Sequence, residues 1–123
     1  MARLINQQTA RRLGLPGRSS LEPISGEMGS RCSVRIATIA VPQPGSKRGP
    51  HLHDGFEEVI FVLSGSGTMH AESGEIPIRP GDLVLVTAGE KHMTQNTGDV
   101  PLVLLCFFPV PDVSAGTTEF AGF

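Results

Sequence analysis

Three of the four histidines and one glutamate are spaced as metal ligands. His51 and His53 lie two residues apart. On an extended segment, residues i and i+2 point to the same face with Cα atoms about 6.6 Å apart, so two imidazoles converge on one ion. Asp54-Gly55 reads as a turn. Glu58 opens the next strand, from which a carboxylate reaches the same ion beside an adjacent strand. His92 opens another strand after a glycine-containing loop. Three imidazoles and one carboxylate make a mixed N/O set that suits one divalent transition metal: iron, manganese, nickel, zinc, cobalt or copper. Four protein ligands in a six-coordinate shell leave two positions for water, oxygen or substrate, which is the layout of a catalytic site. An H-x-H pair alone is a weak motif, so its weight rests on what surrounds it.

The elements that must position these residues read as short strands. Cys32 to Val41 alternates, with Cys32, Val34, Ile36, Thr38 and Ala40 on one face. Pro42 to Pro50 is a turn-rich loop. Glu58 to Leu63 is a β-branched and aromatic run closed by Ser64-Gly65-Ser66-Gly67, a hairpin signal. Thr68 to Glu72 returns. Ile76 to Ile78, interrupted by Pro77, is an edge piece. Leu83 to Val86, His92 to Asn96 and Leu102 to Phe108 complete the set. Fifteen glycines and ten prolines, without period, mean many turns between short strands, hence an all-β barrel or sandwich. Only Asn6 to Leu13 reads as a short helix, ended by Gly14. The expected core is Val34, Ile36, Ile60, Val62, Leu83, Leu85, Leu102 and Leu104.

From Gly45 the chain runs G-x5-His51-x-His53-x4-Glu58-x6-Gly65. From Gly81 it runs G-x5-Thr87-x-Gly89-x2-His92-x3-Asn96, with fifteen residues between the two stretches. These resemble the two motifs of the cupin superfamily, with Thr87 where proline is usual. Threonine there removes no ligand, though proline would stiffen the loop by fixing φ. The resemblance implies an all-β cupin jelly-roll barrel of short antiparallel strands over 31–108. An N-terminal arm (1–30) precedes it and a tail (109–123) follows it. It also implies His51, His53, Glu58 and His92 as the metal ligands. Cupins include dioxygenases, decarboxylases, lyases, isomerases, epimerases, cyclases, sensors and storage proteins, and fold does not choose among them. An intact ligand set argues against a storage role, and the absence of tyrosine weakens the epimerase reading. The leading expectation is a metal-dependent enzyme on a small organic substrate, a dioxygenase-type oxidoreductase ahead of a non-redox isomerase, cyclase or lyase. The alternative from another class is a metal-dependent small-molecule binding module without turnover.

Weaker candidates follow from parity. If Glu58 faces inward, so do Ile60 and Val62, and Met69 and Phe107 join them as pocket residues. Glu57 then faces away. His70 is the candidate general acid or base if it faces the cavity. Arg35, Arg79 and Lys91 are the cations available to an acidic substrate, each more often solvated than functional. Gly45, Gly65, Gly81 and Gly89 mark turns that need φ > 0, and Asn96 is a turn residue.

Charge and composition narrow the partners. A net charge of −2 with no basic cluster argues against nucleic acid. No run of 18 apolar residues suggests a membrane span, and Arg3, Arg11 and Arg12 precede no apolar segment of a secretory signal. Cys32 and Cys106 form no C-x-x-C pair and read as buried thiols in a reducing cytoplasm. Leu4, Ile5, Phe120 and Phe123 on the two arms suggest a homodimer in which an arm packs on the partner barrel.

Overall fold

The computed structural model describes residues 1–42 and 49–123. Eleven strands are assigned among them. They are β1 (Arg11–Leu13), β2 (Ser19–Ile24), β3 (Ser33–Ile39), β4 (His51–His53), β5 (Glu58–Ser64), β6 (Gly67–Ala71), β7 (Gly74–Ile78), β8 (Leu83–Val86), β9 (His92–Asn96), β10 (Leu102–Phe108) and β11 (Thr117–Glu119). They form a six-stranded sheet in the order β1-β2-β3-β10-β5-β8 and a five-stranded sheet in the order β11-β4-β9-β6-β7. Every pairing is antiparallel. This is the all-β cupin fold. Gly45 and most of the turn-rich loop lie outside the described residues. Among the described residues no helix is long and apolar enough to cross a membrane.

The two chain ends enter the sheets. The helix expected over Asn6 to Leu13 is a single 3-10 turn at Gln7–Thr9, capped by the Asn6 side chain, followed by β1. Strand pairing overrides helix propensity here, because Arg11 sits opposite Glu22 and their side chains form an ion pair. At the other end, β11 pairs with β4. The interrupted run at Pro77 belongs to β7, an edge strand, where a missing N–H costs no ladder bond.

Burial corrects half of the expected core. Ile60, Val62, Leu102 and Leu104 are buried, with Ile39, Met69, Ile78, Val86, Phe108 and Val113. Val34 and Ile36 are not. On β3 the inward face is Ser33, Arg35, Ala37 and Ile39. Two polar residues tolerate that face because partners wait inside: Ser33 Oγ donates to the Val110 carbonyl (2.7 Å) and Arg35 Nε to Glu22 Oε2 (2.8 Å). On β8, Val84 and Val86 point inward while Leu83 and Leu85 are 67% and 59% exposed.

The residues displaced from the core form an ordered outer surface. Cross-strand register aligns Leu83, Phe61, Leu105, Ile36 and Leu21 in one row. Leu85, Val59, Phe107, Val34 and Ile24 make a second row beside it. The six-stranded sheet therefore has an apolar outer face, and part of its inner face is polar.

Candidate metal centre

Strand geometry brings the four expected residues together. His51 and His53 are inward residues of β4, and His51 pairs directly with His92 at the start of β9. Glu58 arrives from β5, which belongs to the other sheet. The carboxylate therefore closes the site across the barrel interior, not from an adjacent strand. All four residues are buried, and one ligand atom from each lies within 4.8 Å of the others. His53 Nε2 is 3.2 Å and His92 Nε2 3.0 Å from Glu58 Oε1.

The loop before His92 is held without the usual proline. Gly89 has φ +77°, a left-handed value that glycine adopts readily, and its N–H donates to the His53 carbonyl at 2.8 Å. The Glu90 N–H closes a turn onto the Thr87 carbonyl, and Thr87 Oγ1 donates to the Glu90 carboxylate. Asn96 is buried and structural: its amide donates to the Ile39 and Val100 carbonyls and its oxygen accepts from the Gly98 N–H.

Outer partners settle the imidazole tautomers. His92 Nδ1 lies 2.9 Å from the Glu90 carbonyl, which only accepts, so Nδ1 carries the proton. His53 Nδ1 lies 3.0 Å from Thr117 Oγ1, whose own hydrogen is given to the Val113 carbonyl. That ring is therefore also protonated at Nδ1. Both Nε2 lone pairs then face the same carboxylate oxygen. At 3.0–3.2 Å such an approach needs a proton or a cation between the groups. His51 Nδ1 is buried with no hydrogen-bond partner among the described residues. An orphaned imidazole nitrogen, two oriented lone pairs and a buried carboxylate fit one divalent ion.

Electrostatics agree. Burial, reinforced by the charge of His92, holds the His51 pKa down to about 2, so this ring is neutral. With a proton in place of the ion, burial disfavours a charged Glu58, but the hydrogen bonds it then shares with His53 and His92 outweigh this and hold the carboxyl below its usual range. Burial also opposes protonation of His92, yet the hydrogen bond and charge of Glu58 raise its pKa overall.

The ligands line a cavity of about 30 Å³, space for about two water-sized groups. Ile60 lines it. Val62 and Met69 are buried but lie deeper in the core. Phe107 is 37% exposed on the outer face, because strand parity puts Cys106 and Phe108 inward instead. His70 stands on the outer face of β6, with Nε2 2.7 Å from Gln95 Oε1 and Nδ1 3.1 Å from Glu75 Oε1. It does not line the cavity, so it cannot serve as the acid or base there. Glu57 is exposed. Of the three cations, Arg35 lines the cavity, Arg79 is exposed, and Lys91 lies over the Phe120 ring at 4.1 Å.

Sequence reasoning missed Arg18, Ser20 and Cys106, which also line the cavity. For Cys106 the alternation that put Leu102 and Leu104 inward was the available signal, and naming Phe107 as a pocket residue departed from it. Burial, and then the charge of Glu58, pushes its thiol pKa up. Arg18 and Ser20 carried no sequence signal.

The cupin-domain family model matches residues 38–108, more than half of the chain. The chain belongs to the cupin family. The oxalate-binding protein of Thermotoga maritima is 39% identical over 70 residues, covering 57% of each chain, so this chain spans little over half of that relative's length. A predicted oxalate decarboxylase of Thermotoga maritima superposes with a TM-score of 0.73 at 23% identity, over 88% of this chain and 99% of that one. The Streptomyces nucleoside dehydratase Pac13 superposes with a TM-score of 0.76 at 12% identity, over 98% and 92%. At these identities the two structures report the fold alone.

Proposed function

We propose that this chain is a metal-dependent cupin enzyme acting on a small oxygen-bearing substrate by dioxygenase-type chemistry. The observation that carries the reading is the convergence of three imidazoles and one carboxylate in one buried cavity. A bound divalent ion supplies a Lewis acid and, in the case of iron, a site for oxygen beside substrate. His53 and His92 present preset Nε2 lone pairs, and Glu58 adds the negative charge. Ile60, Leu104 and Phe108 wall the cavity and exclude bulk water.

The other titratable groups in the cavity favour the oxidative branch. Beyond the ligands, the described lining offers Arg18, Arg35 and Cys106. A guanidinium stays charged at neutral pH, and the Cys106 thiol is pushed further from it. Isomerase, cyclase and lyase chemistry moves protons through a side chain poised near neutrality. Oxygenation places that work on metal and oxygen. The oxalate-binding relative supports a small chelating substrate. The test is oxygen uptake by iron-loaded protein over a panel of catechols, diketones and hydroxy acids. Substrate-dependent uptake is expected. Turnover without uptake would assign a non-redox reaction, and binding without turnover would assign a binding module.

The proposal includes a homodimer. In the tail, β11 and Phe120 pack on their own barrel, while Leu4 and Phe123 stay exposed on the arms; the outer face of the six-stranded sheet adds a continuous apolar surface. Two rows of five side chains, at about 4.8 Å between strands and about 6.6 Å between rows, cover roughly 300 Å². That is the size of a functional patch on a monomer. The ten side chains of the rows are apolar, with Arg12 at the end of the first row and Ser19, Thr38 and Ser64 beside it as a polar rim, so a two-fold axis brings an apolar centre onto itself. With its rim, that apolar centre suits an interface at the low end of stable dimers. The two free cysteines support a reducing cytoplasm.

A further inference from the structure

Two arginines reach the cavity, and their circumstances differ. Arg35 is matched: Nε donates to buried Glu22, a second nitrogen lies 3.4 Å from Ser114 Oγ, and the guanidinium sits 5.5 Å from the Phe108 ring centre. Arg18 is matched less fully, by a long ion pair and one carbonyl. Its side chain is 9% exposed, yet among the described residues it makes one hydrogen bond, to the carbonyl of Pro16 in its own turn (2.8 Å). Glu119 stands 3.8 Å away, beyond hydrogen-bond reach, and its side chain is 40% exposed. A buried cation with so few acceptors is costly unless something completes it.

Two residues further along, Ser20 lines the same cavity. It is 1% exposed, and its hydroxyl borders the cavity. Arg18 and Ser20 thus offer a planar fork of donors and a hydroxyl at one wall. The charges point the same way. A divalent ion with Glu58 leaves one positive charge, Glu22 is shared by Arg35 and Arg11, and the Glu119 carboxylate that offsets Arg18 is long-range and 40% exposed.

We propose that Arg18 and Ser20 form the recognition site for the carboxylate of a small carboxylic acid whose other oxygen reaches the metal centre. The proposal rests on the metal-centre reading above and names its substrate class. A carboxylate matches the guanidinium fork with two parallel hydrogen bonds, and the cavity size restricts it to a few carbon atoms. Bound carboxylate replaces Glu119 as the partner of Arg18.

The test uses full-length protein loaded with Mn(II), metal content being followed by electron paramagnetic resonance. Calorimetry compares glycolate with glycolamide, its neutral amide, and with inorganic phosphate. Wild type is expected to prefer glycolate by at least about tenfold, the scale of a hydrogen-bonded charge. Arg18→Gln erases that preference without changing Mn(II) affinity, Arg18→Lys keeps part of it, and Ser20→Ala weakens glycolate binding about fivefold. No preference in wild type, or an undiminished one in Arg18→Gln, overturns the proposal. Phosphate binding as tightly as glycolate overturns the carboxylate assignment. Should Arg18→Gln fail to fold, Arg18→Lys and Ser20→Ala decide alone: an unchanged glycolate preference in both overturns it. A wild type that binds no Mn(II) overturns the metal-centre reading instead. The preference for glycolate over glycolamide is then read on metal-free protein, where its absence overturns this proposal too.

Discussion

The two faces of the six-stranded sheet are built the opposite way from an ordinary sheet that covers a core. Its inner face carries Ser33, Arg35, Glu58 and Cys106 among its aliphatic residues, and its outer face carries Leu83, Leu85, Phe107, Val34 and Ile36. Hydrophobicity alone does not say which face of such a strand is the core. A polar residue is stable inside only where a partner or ligand completes it. The polar inner residues therefore mark the site, and the apolar outer ones mark surface that a partner can cover.

The largest expected effect is on the inner face. His92→Ala and Glu58→Ala should each lower metal affinity by more than about 100-fold, since loss of an outer partner alone costs about 10- to 100-fold. Both variants should stay folded, because apolar burial and not the ion supplies most of the folding energy. Chelator competition and circular dichroism check this. Glu57→Ala should leave metal affinity unchanged. If the two glutamates exchange behaviour, the register of β5 is wrong by one residue.

Acid should break the same face. The metal needs His92 without its Nε2 proton, and the pKa of His92 is raised by Glu58. Proton competition therefore begins above the ordinary imidazole value of about 6.5 and strengthens as pH falls. Metal affinity at pH 5 should be well below that at pH 7.5, and equal affinities would contradict three-histidine ligation.

Thr117→Val sharpens the comparison by removing an orienting partner and no ligand. It should weaken metal binding about tenfold by freeing the His53 ring. An unchanged affinity would show that Phe56 and Phe108, packed against that ring at 5.3 and 5.1 Å between ring centres, hold it unaided.

Truncation of the inner face away from the ligands acts on the fold: Ile60→Ala should cost about 2–5 kcal/mol in denaturant unfolding, as a fully buried aliphatic truncation does. The outer face gives the smallest effects on the fold. The double variant Leu83→Lys, Leu85→Lys should leave the metal site intact and shift light-scattering mass to a monomer near 13.0 kDa. A dimer that survives both lysines would remove the outer face as the interface.

The family, the all-β class and the four clustered donors were legible in the sequence because they rest on local regularities. A strand sets i and i+2 on one face, glycine marks turns, and the two motifs tie both to fixed spacings. Those rules reached His51, His53, Glu58 and His92, the inward run Glu58-Ile60-Val62, and the outward Glu57. They failed where strands are apolar on both sides. Val34, Ile36, Leu83, Leu85 and Phe107 have the composition of core, and only the pairing of β3, β10, β5 and β8 decides that they face out. The face of His70 stayed open for the same reason, since nothing local separates an inward from an outward histidine on β6. Arg18 and Ser20 come from an N-terminal stretch without clear pattern, and β11 from a tail with none. They meet the metal centre, or its wall, only because β2 joins β3 and β11 joins β4. Such long-range pairings are set by the whole barrel closing around its interior. The sequence by itself determined which side chains can hold an ion, and the tertiary structure alone decided which charge and which hydroxyl stand beside them.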